Sequence, residues 1–420
     1  MVNINLRQVG DIFKKDIPKG NELQEEVMDD VDASEFEDDD ILPKKTKSRR
    51  PREDAFTQQR IAAFNPIYTP RTVLPVYLII AAVFVLVGGC LLAASNRVDQ
   101  FTIFYHDCMT AAPTDDFGDM DDDHYDFYFH KHKNFNVAPK WKYVDDPSDD
   151  FTEQRGTCQL RFTIPDDIKK TVFINYILEK YVVNHRRYVL SFSEDQIQGK
   201  RASYSTIHDT PGINCKELAR NEEGKLYYPC GLIANTMFND SFPFELTSVS
   251  NPGTTFALTN KNINWHSDKQ RFKKTKYHYS EIVPPPFWTR MFPEGYNETN
   301  VPNLQEWEEF QNWMRSAAFD KQIKLIRRND NETLPAGEWQ IDIGLHWPIN
   351  LVDGKKGIYV THGSSLGGKN SFLGSVYLIG GCICAAMALV LMLAWLMARR
   401  KVGDPSLLSW NREDYVMVEQ

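Results

Sequence analysis

Along most of this chain apolar and polar residues interleave, but two runs carry no charge at all. Val73–Ala94 reads VLPVYLIIAAVFVLVGGCLLAA and Phe372–Ala398 reads FLGSVYLIGGCICAAMALVLMLAWLMA. At about 1.5 Å per residue, the first matches a hydrocarbon core of roughly 30 Å, and the second exceeds it enough to require tilt. Core helices of globular proteins are shorter and amphipathic, so both runs are expected to be transmembrane α-helices. They divide the chain into an N-terminal segment 1–72, a loop 95–371 and a tail 399–420.

Inside the loop the period changes. Asp99–Tyr105, Cys158–Ile164, Thr171–Tyr176, Thr254–Leu258, Glu338–Leu345 and Gly357–Thr361 alternate, or are rich in β-branched and aromatic residues, and read as strands. Ile177–Leu190 and Leu304–Met314 read as helices; in the second, Leu304, Trp307, Glu308 and Gln311 share one face. From Cys215 to Phe319 prolines, glycines and aromatics occur with little period, which implies ordered loops. No internal repeat is visible. The expected fold is a large, mostly β ectodomain, antiparallel and sandwich-like with short inserted helices, held between two transmembrane helices.

Ahead of the first run the pattern weakens. Ala55–Ala63 is compatible with a helix, and the prolines of Asn65-Pro66-Ile-Tyr-Thr69-Pro70 break it, giving a rigid juxtamembrane elbow. Val2–Lys15 places Leu6, Val9, Ile12 and Phe13 at near-helical spacing. Glu22–Asp40 has eleven acidic residues and no basic one, so segment 1–53 is expected to be acidic and disordered.

Charge then orients the chain. Lys44, Lys45, Lys47, Arg49, Arg50, Arg52, Arg60 and Arg71 precede the first run, and Arg399, Arg400 and Lys401 follow the second, whereas the loop flanks carry little beyond Arg97 and Lys369. Positive charge stays inside, so both termini are expected to be cytosolic and the loop exoplasmic. A long preceding tail and a full-length apolar run exclude a cleaved signal peptide. The net charge of −9, with 25% charged residues and no basic domain, argues against nucleic acid as a partner.

Three of seven cysteines, Cys90, Cys382 and Cys384, fall inside the apolar runs, leaving Cys108, Cys158, Cys215 and Cys230 in the loop. An even number in an oxidising compartment implies two disulfides, with three connectivities open. The sequons Asn239-Asp-Ser241, Asn297-Glu-Thr299 and Asn331-Glu-Thr333 also lie in the loop and mark glycosylation there.

Enzyme chemistry finds little support. Asp121-Asp-Asp-His124, with His130 and His132 nearby, matches no defined metal site. Asn184-His185-Arg186-Arg187-Tyr188 contains a possible acid or base but reads as a structural or interaction face. Gly363-Ser-Ser-Leu-Gly-Gly368-Lys369-Asn370 nearly matches a phosphate-binding loop, yet ends in Asn and opens a membrane helix on the exoplasmic side. No nucleophile, zincin or phosphorylatable-aspartate motif occurs, so neither catalytic residues nor a metal or cofactor is expected. The apolar runs lack the polar residues of a transport path. Gly89-x-x-x-Ala93, Gly381-x-x-x-Ala385 and Cys384-x-x-x-Ala388 instead offer small residues for close packing against each other or a larger partner. The tail holds Asp404-Pro-Ser-Leu407-Leu408 and Tyr415-Val-Met-Val418, which resemble sorting signals.

Taken in order, Phe56-Thr-Gln-Gln-Arg60, Pro70 with Val73-Leu-Pro75, Asn184-His-Arg-Arg-Tyr188, Tyr228-Pro-Cys-Gly-Leu-Ile-Ala-Asn235, Trp265-His-Ser-Asp-Lys269, Trp313-Met-Arg315, Leu334-Pro-Ala-Gly337 and Gly367-Gly-Lys-Asn370 resemble the cell-division-cycle-fifty family. These are accessory β subunits of type IV P-type ATPase lipid flippases. The resemblance spans Ala55 to about Arg400. Asp32-Ala-Ser-Glu-Phe36 and Arg155-Gly-Thr-Cys158 are most similar to the fungal ligand-effect-modulator type.

The resemblance implies a non-catalytic subunit that escorts its ATPase partner from the endoplasmic reticulum. It would support movement of phospholipid from the exoplasmic to the cytosolic leaflet, at the plasma membrane and along the Golgi and endosomal route. It also implies pairing of Cys108 with Cys158 and Cys215 with Cys230, in an ectodomain covering the partner's exoplasmic loops. Two positions depart from the family: relatives often have Gly at Asn262, and relatives of this type often have a sequon at His278-Tyr-Ser280. A reading of another class is a two-span glycosylated cell-surface receptor or adhesion protein; an ecto-enzyme stands behind both.

Overall fold

The computed structural model describes residues 54–61, 68–362 and 367–398. The amphipathic and acidic stretches of the N-terminal segment, the basic residues at 44–52 and 399–401, Gly363–Leu366 and both tail signals lie outside the described residues. Residues 54–61 belong to a separate unit. There Asp54 accepts the backbone N–H of Thr57 on Oδ1 and that of Gln58 on its carbonyl, at 2.6 and 3.0 Å. The result is a run of turns where the sequence is compatible with a helix.

Two long helices, Pro70–Ser95 and Phe372–Ala398, flank everything else. The first begins ahead of the uncharged run because Pro70 at its first position lacks only an N–H that would be unpaired anyway. Thr69 and Thr72 close a capping box around that end, with Thr72 Oγ1 accepting from Thr69 N at 3.1 Å.

Between the helices the described residues form thirteen strands: β1 Gln100–Phe104, β2 Gly118–Asp119, β3 Tyr125–Tyr128, β4 Lys140–Val144, β5 Thr157–Ile164, β6 Val172–Glu179, β7 Leu226–Tyr227, β8 Glu245–Ser248, β9 Thr255–Ala257, β10 Ile282–Val283, β11 Gln322–Asn329, β12 Gly337–Gly344 and β13 Lys355–His362. One sheet has the order β11-β6-β13-β1-β3 and the other β2-β4-β5-β12-β8-β9, and every pairing within these two is antiparallel. The short pair β7 and β10 is parallel.

Alternation explains the sandwich. In β5 every second residue is buried, so Cys158, Leu160, Phe162 and Ile164 face inward while Gln159 and Arg161 face out. Opposite them Phe101 of β1 meets Phe162 with ring centroids 5.0 Å apart, joining both sheets into one core that also holds Ile103, Trp339 and Ile341.

The region expected to be a helix at Ile177–Leu190 is mostly not one. Ile177–Glu179 complete β6, Lys180 then turns the chain at φ 58°, and only Arg186–Val189 are helical. β6 sits between β11 and β13 and is buried along nearly its whole length, which gives a continuous apolar run that periodicity cannot tell from a helix. Leu304–Met314 contracts to a helix at Glu308–Trp313.

Candidate functional site

The long helices meet through small residues spaced seven apart. Ala81, Gly88 and Ser95 on the first, and Gly374, Gly381 and Ala388 on the second, are the buried positions. A seven-residue repeat follows one side of a left-handed helix pair, and small residues there let backbones approach. A Cβ on Gly88 would lie 2.9 Å from the Gly374 carbonyl, and one on Gly381 3.2 Å from that of Ala81. Phe84 and Tyr377 add an edge-to-face ring contact at 5.2 Å. The four-residue spacing read from the sequence is therefore corrected: Gly381 and Ala388 are in the contact, whereas Gly89 faces open space and Ala385 is exposed. Their outer faces, with Leu78, Ile79, Leu86, Ile379 and Val390, are left for lipid or another chain.

Where the helices enter the ectodomain they are clamped. The ladder Gln100 to Thr361 pairs β1, which follows the first helix, with β13, which precedes the second. Gln100 Oε1 accepts from the Tyr359 hydroxyl at 2.7 Å and from the Lys369 N–H at 3.1 Å, and Ser95 Oγ accepts from the Asn370 N–H at 2.9 Å. The Lys369 ammonium sits 3.1 Å above the Tyr128 ring centroid, and burial lowers its pKa. The backbone N–H groups of Lys369 and Asn370 and the lysine side chain, at the end of a would-be phosphate loop, are thus committed to holding the junction together.

A second constellation organises the middle of the ectodomain. The helix Leu232–Asn235 is one turn long, and although backbone N–H groups reach Leu232 O and Ala234 O, the carbonyls at its end have room for further partners. Indole N–H groups supply them: Trp313 donates to Ile233 O at 2.7 Å and Trp288 to Ala234 O at 2.8 Å, while Trp347 reaches Thr236 O at 3.3 Å. Gly231 precedes this turn at φ 95°, and a Cβ there would lie 2.2 Å from Ser191 O, so only glycine fits.

The Asn184–Tyr188 block braces the same region. Arg187 donates to Glu217 Oε1 at 2.6 Å and to Asn214 Oδ1 at 3.1 Å, and the Tyr188 hydroxyl meets Thr236 Oγ1 at 2.7 Å. His185 is exposed, which fits the structural reading of the block rather than acid–base work.

In the Trp265–Lys269 block, Lys269 pairs with the buried Glu308 at 2.8 Å, and Glu308 also accepts the Ile263 N–H at 2.9 Å. Burial opposes that charge, yet Lys269 and the backbone N–H groups hold the Glu308 carboxyl below its usual range. Asn262 has φ 60°, the left-handed region that favours glycine and that asparagine tolerates, which accounts for the departure noted at this position.

Asp240, inside the first sequon, and Lys356 of β13 form an ion pair at 2.8 Å with both side chains fully buried. The other partners of the pair are the Tyr105 hydroxyl and the His346 and Trp347 N–H groups, which donate to Asp240, and the Trp347 carbonyl and Gln154 Oε1, which accept from Lys356. Beside it opens a cavity of about 360 Å³ lined by Tyr181, Met237, Asn239, Arg290, His346 and Trp347, with Phe287 and Leu351 exposed at its rim. Burial lowers the His346 pKa.

The structure joins Cys108 to Cys158 and Cys215 to Cys230. The first ties the segment after β1 to β5 in the facing sheet; the second closes a 15-residue excursion. In the chain-entropy picture they contribute about 4 and about 3 kcal/mol. Asn297 and Asn331 are exposed, and Asn239 is half-buried at the cavity. The three histidines of the Asp121–His132 region do not converge: His124 faces Asp107 and Asp123, with Asp121 close by, His130 faces Asp99 and His132 Asp166. The part played by the tryptophan caps and by the Asp240–Lys356 pair was missed in the sequence, where buried polar partners far apart leave no periodic signal.

Comparison with known proteins converges on one group. Residues 91–401 match the model of the LEM3 (ligand-effect modulator 3) family / CDC50 family. The chain is 63% identical to the phospholipid-transporting ATPase accessory subunit LEM3 of Saccharomyces cerevisiae, across 98% of this chain and 100% of that one. It is 36% identical to the accessory subunit CDC50 of Chaetomium thermophilum, covering 86% and 91%, and 32% identical to cell cycle control protein 50A of Bos taurus, covering 82% and 89%. With a family match over most of its length and a relative alike from end to end, the chain belongs to the LEM3/CDC50 family, and its higher identity to LEM3 places it with the fungal ligand-effect-modulator type.

Proposed function

We propose that this chain is the non-catalytic accessory subunit of a phospholipid-transporting type IV P-type ATPase, forming a heterodimer needed for export from the endoplasmic reticulum and for lipid translocation to the cytosolic leaflet. The observation that carries it is the 63% identity, over essentially the whole of both chains, to a protein named as such a subunit. The architecture suits the role. The two helices are occupied with each other on one side only, and the indole caps and the Asp240–Lys356 pair of the ectodomain core are engaged in holding the fold.

In this reading 1–72 and 399–420 are cytosolic, 95–371 is exoplasmic, and Asn239, Asn297 and Asn331 carry glycans. The complex works at the plasma membrane after passage through the endoplasmic reticulum and Golgi, with endosomal recycling. Nothing in the molecule favours the receptor reading.

Affinity capture of the full-length chain in mild detergent, with deletion of its gene and uptake of a fluorescent phospholipid, tests the assignment. A large ATPase in one-to-one ratio and loss of uptake are expected. Normal uptake and normal ATPase export in deleted cells that express no related subunit would overturn it.

A further inference from the structure

We propose that His106, Asp107 and His124 form a site for one zinc-like divalent metal ion in the ectodomain, with Asp123 orienting a ligand from behind. The β1–β3 ladder places Ile103 opposite Tyr125, so the residues just past the end of β1 and just before β3 come together. His124 Nε2 lies 3.1 Å from both oxygens of Asp107, and His106 Nδ1 lies 3.9 Å from Asp107 Oδ1. One ligand atom from each of the three falls within 4.8 Å of the others. Tetrahedral zinc with bonds of about 2.0–2.1 Å needs donor atoms roughly 3.3 Å apart, so a shift of about 1 Å in one ring completes the set.

Two further observations, independent of that spacing, point to a cation. His106 Nδ1 is buried without a hydrogen-bond partner, an orphan that a native interior rarely tolerates and that a metal bond would satisfy. His124 is only 7% exposed, and its other nitrogen, Nδ1, lies 2.8 Å from Asp123 Oδ1 but outside hydrogen-bond geometry, so that a small rotation of the ring would align the two. A carboxylate behind a ligating imidazole is the usual support of a zinc-bound histidine, fixing which nitrogen faces the metal.

The two rings stack at 5.5 Å, and Trp141 of the facing sheet packs on His124 at 5.2 Å. Cys108, next to Asp107, is bonded to β5. A metal here would therefore clamp the edge of one sheet beside the disulfide that joins it to the other. Two imidazoles and a carboxylate favour zinc over calcium or magnesium, which prefer all-oxygen sites.

The test uses the full-length chain in detergent, purified with a histidine-free tag, stripped with EDTA and reloaded with Zn²⁺. Elemental analysis after desalting should find about one zinc per chain. Substituting Co²⁺ should give the visible absorption of a tetrahedral nitrogen–oxygen site.

His106→Gln should weaken Zn²⁺ binding at least about tenfold, and Asp123→Asn should weaken it about tenfold while keeping the stoichiometry. Since His124 is packed in the core, the partly exposed His106 is the variant whose fold is least at stake, and circular dichroism of each variant verifies it. Less than about 0.1 zinc per chain in the reloaded wild type, equal zinc affinity in folded His106→Gln, or displacement by millimolar Ca²⁺ as from a mere acidic patch would each overturn the proposal.

Discussion

Lys356 Nζ and Asp240 Oδ2 stand 2.8 Å apart with neither side chain exposed to water. Burial pushes the Lys356 pKa down while the Asp240 carboxylate pulls it back up. Lys356→Met, which strands the carboxylate, should destabilise the ectodomain by about 3–5 kcal/mol. Adding Asp240→Asn, which preserves the Asn239 sequon, should return part of that loss. Thermal unfolding of the purified full-length variants measures both; a double variant less stable than Lys356→Met alone would contradict the pairing.

The helix contact makes a prediction at adjacent residues. Gly88→Val puts a side chain against the Gly374 backbone and should cost about 1–3 kcal/mol, as overpacking does. Gly89→Val points into open space and should stay within about 0.5 kcal/mol. Resistance to unfolding in detergent separates them, and equal effects would mean that a different helix face is in contact.

A pH dependence follows from Lys324. Burial lowers its pKa from 10.5 to about 8, and its ammonium donates to Asn312 O at 3.0 Å and to the Arg315 carbonyl. Between those values the unfolded chain holds a proton that the folded chain has released, so this residue makes stability rise with pH across the window and imposes a constant cost below it. Lys324→Met should flatten the rise. Buried tyrosines such as Tyr105 and Tyr176, whose pKa values are raised by burial, act in the opposite sense near pH 10. The comparison is therefore made by denaturant titration between about pH 8 and 9.5.

Exposure ranks the sequons. Asn297 and Asn331 sit on open turns, whereas Asn239 is half-buried and followed by the buried Asp240. All three should be glycosylated in the native host, each lost in turn on Asn→Gln substitution. Asn239→Gln should lower folding yield most, because its loop lies against the cavity. Intact-mass measurement with and without glycosidase counts the glycans, and three unmodified sites would remove their support for an exoplasmic loop.

Much of the architecture is written in residue pattern: the helices in hydropathy, β5 and β12 in strict alternation. β11 escaped because it is inverted. Gln322, Lys324 and Arg327 are buried while Ile323 is 44% exposed, so that apart from Ile326 the strand buries polar side chains, satisfied by carbonyls and, at Arg327, by the Glu309 carboxylate. No period in QIKLIRRN announces that, since its partners come from distant loops. His106 and His124 were separated for the same reason, with only strand pairing bringing them together.

The position of β13 governs when this protein can become itself. It lies at the centre of its sheet, between β6 and β1, yet is the last strand made. Until residue 362 has been made and, in the topology proposed above, carried across the membrane, β1 has no inner neighbour, and the polypeptide waits with a half-built sheet through most of its synthesis. Phe372 follows at once, so completion of the ectodomain and arrival of the second helix are nearly the same event. A chain truncated before β13 should therefore remain a client of lumenal chaperones however well its earlier strands form.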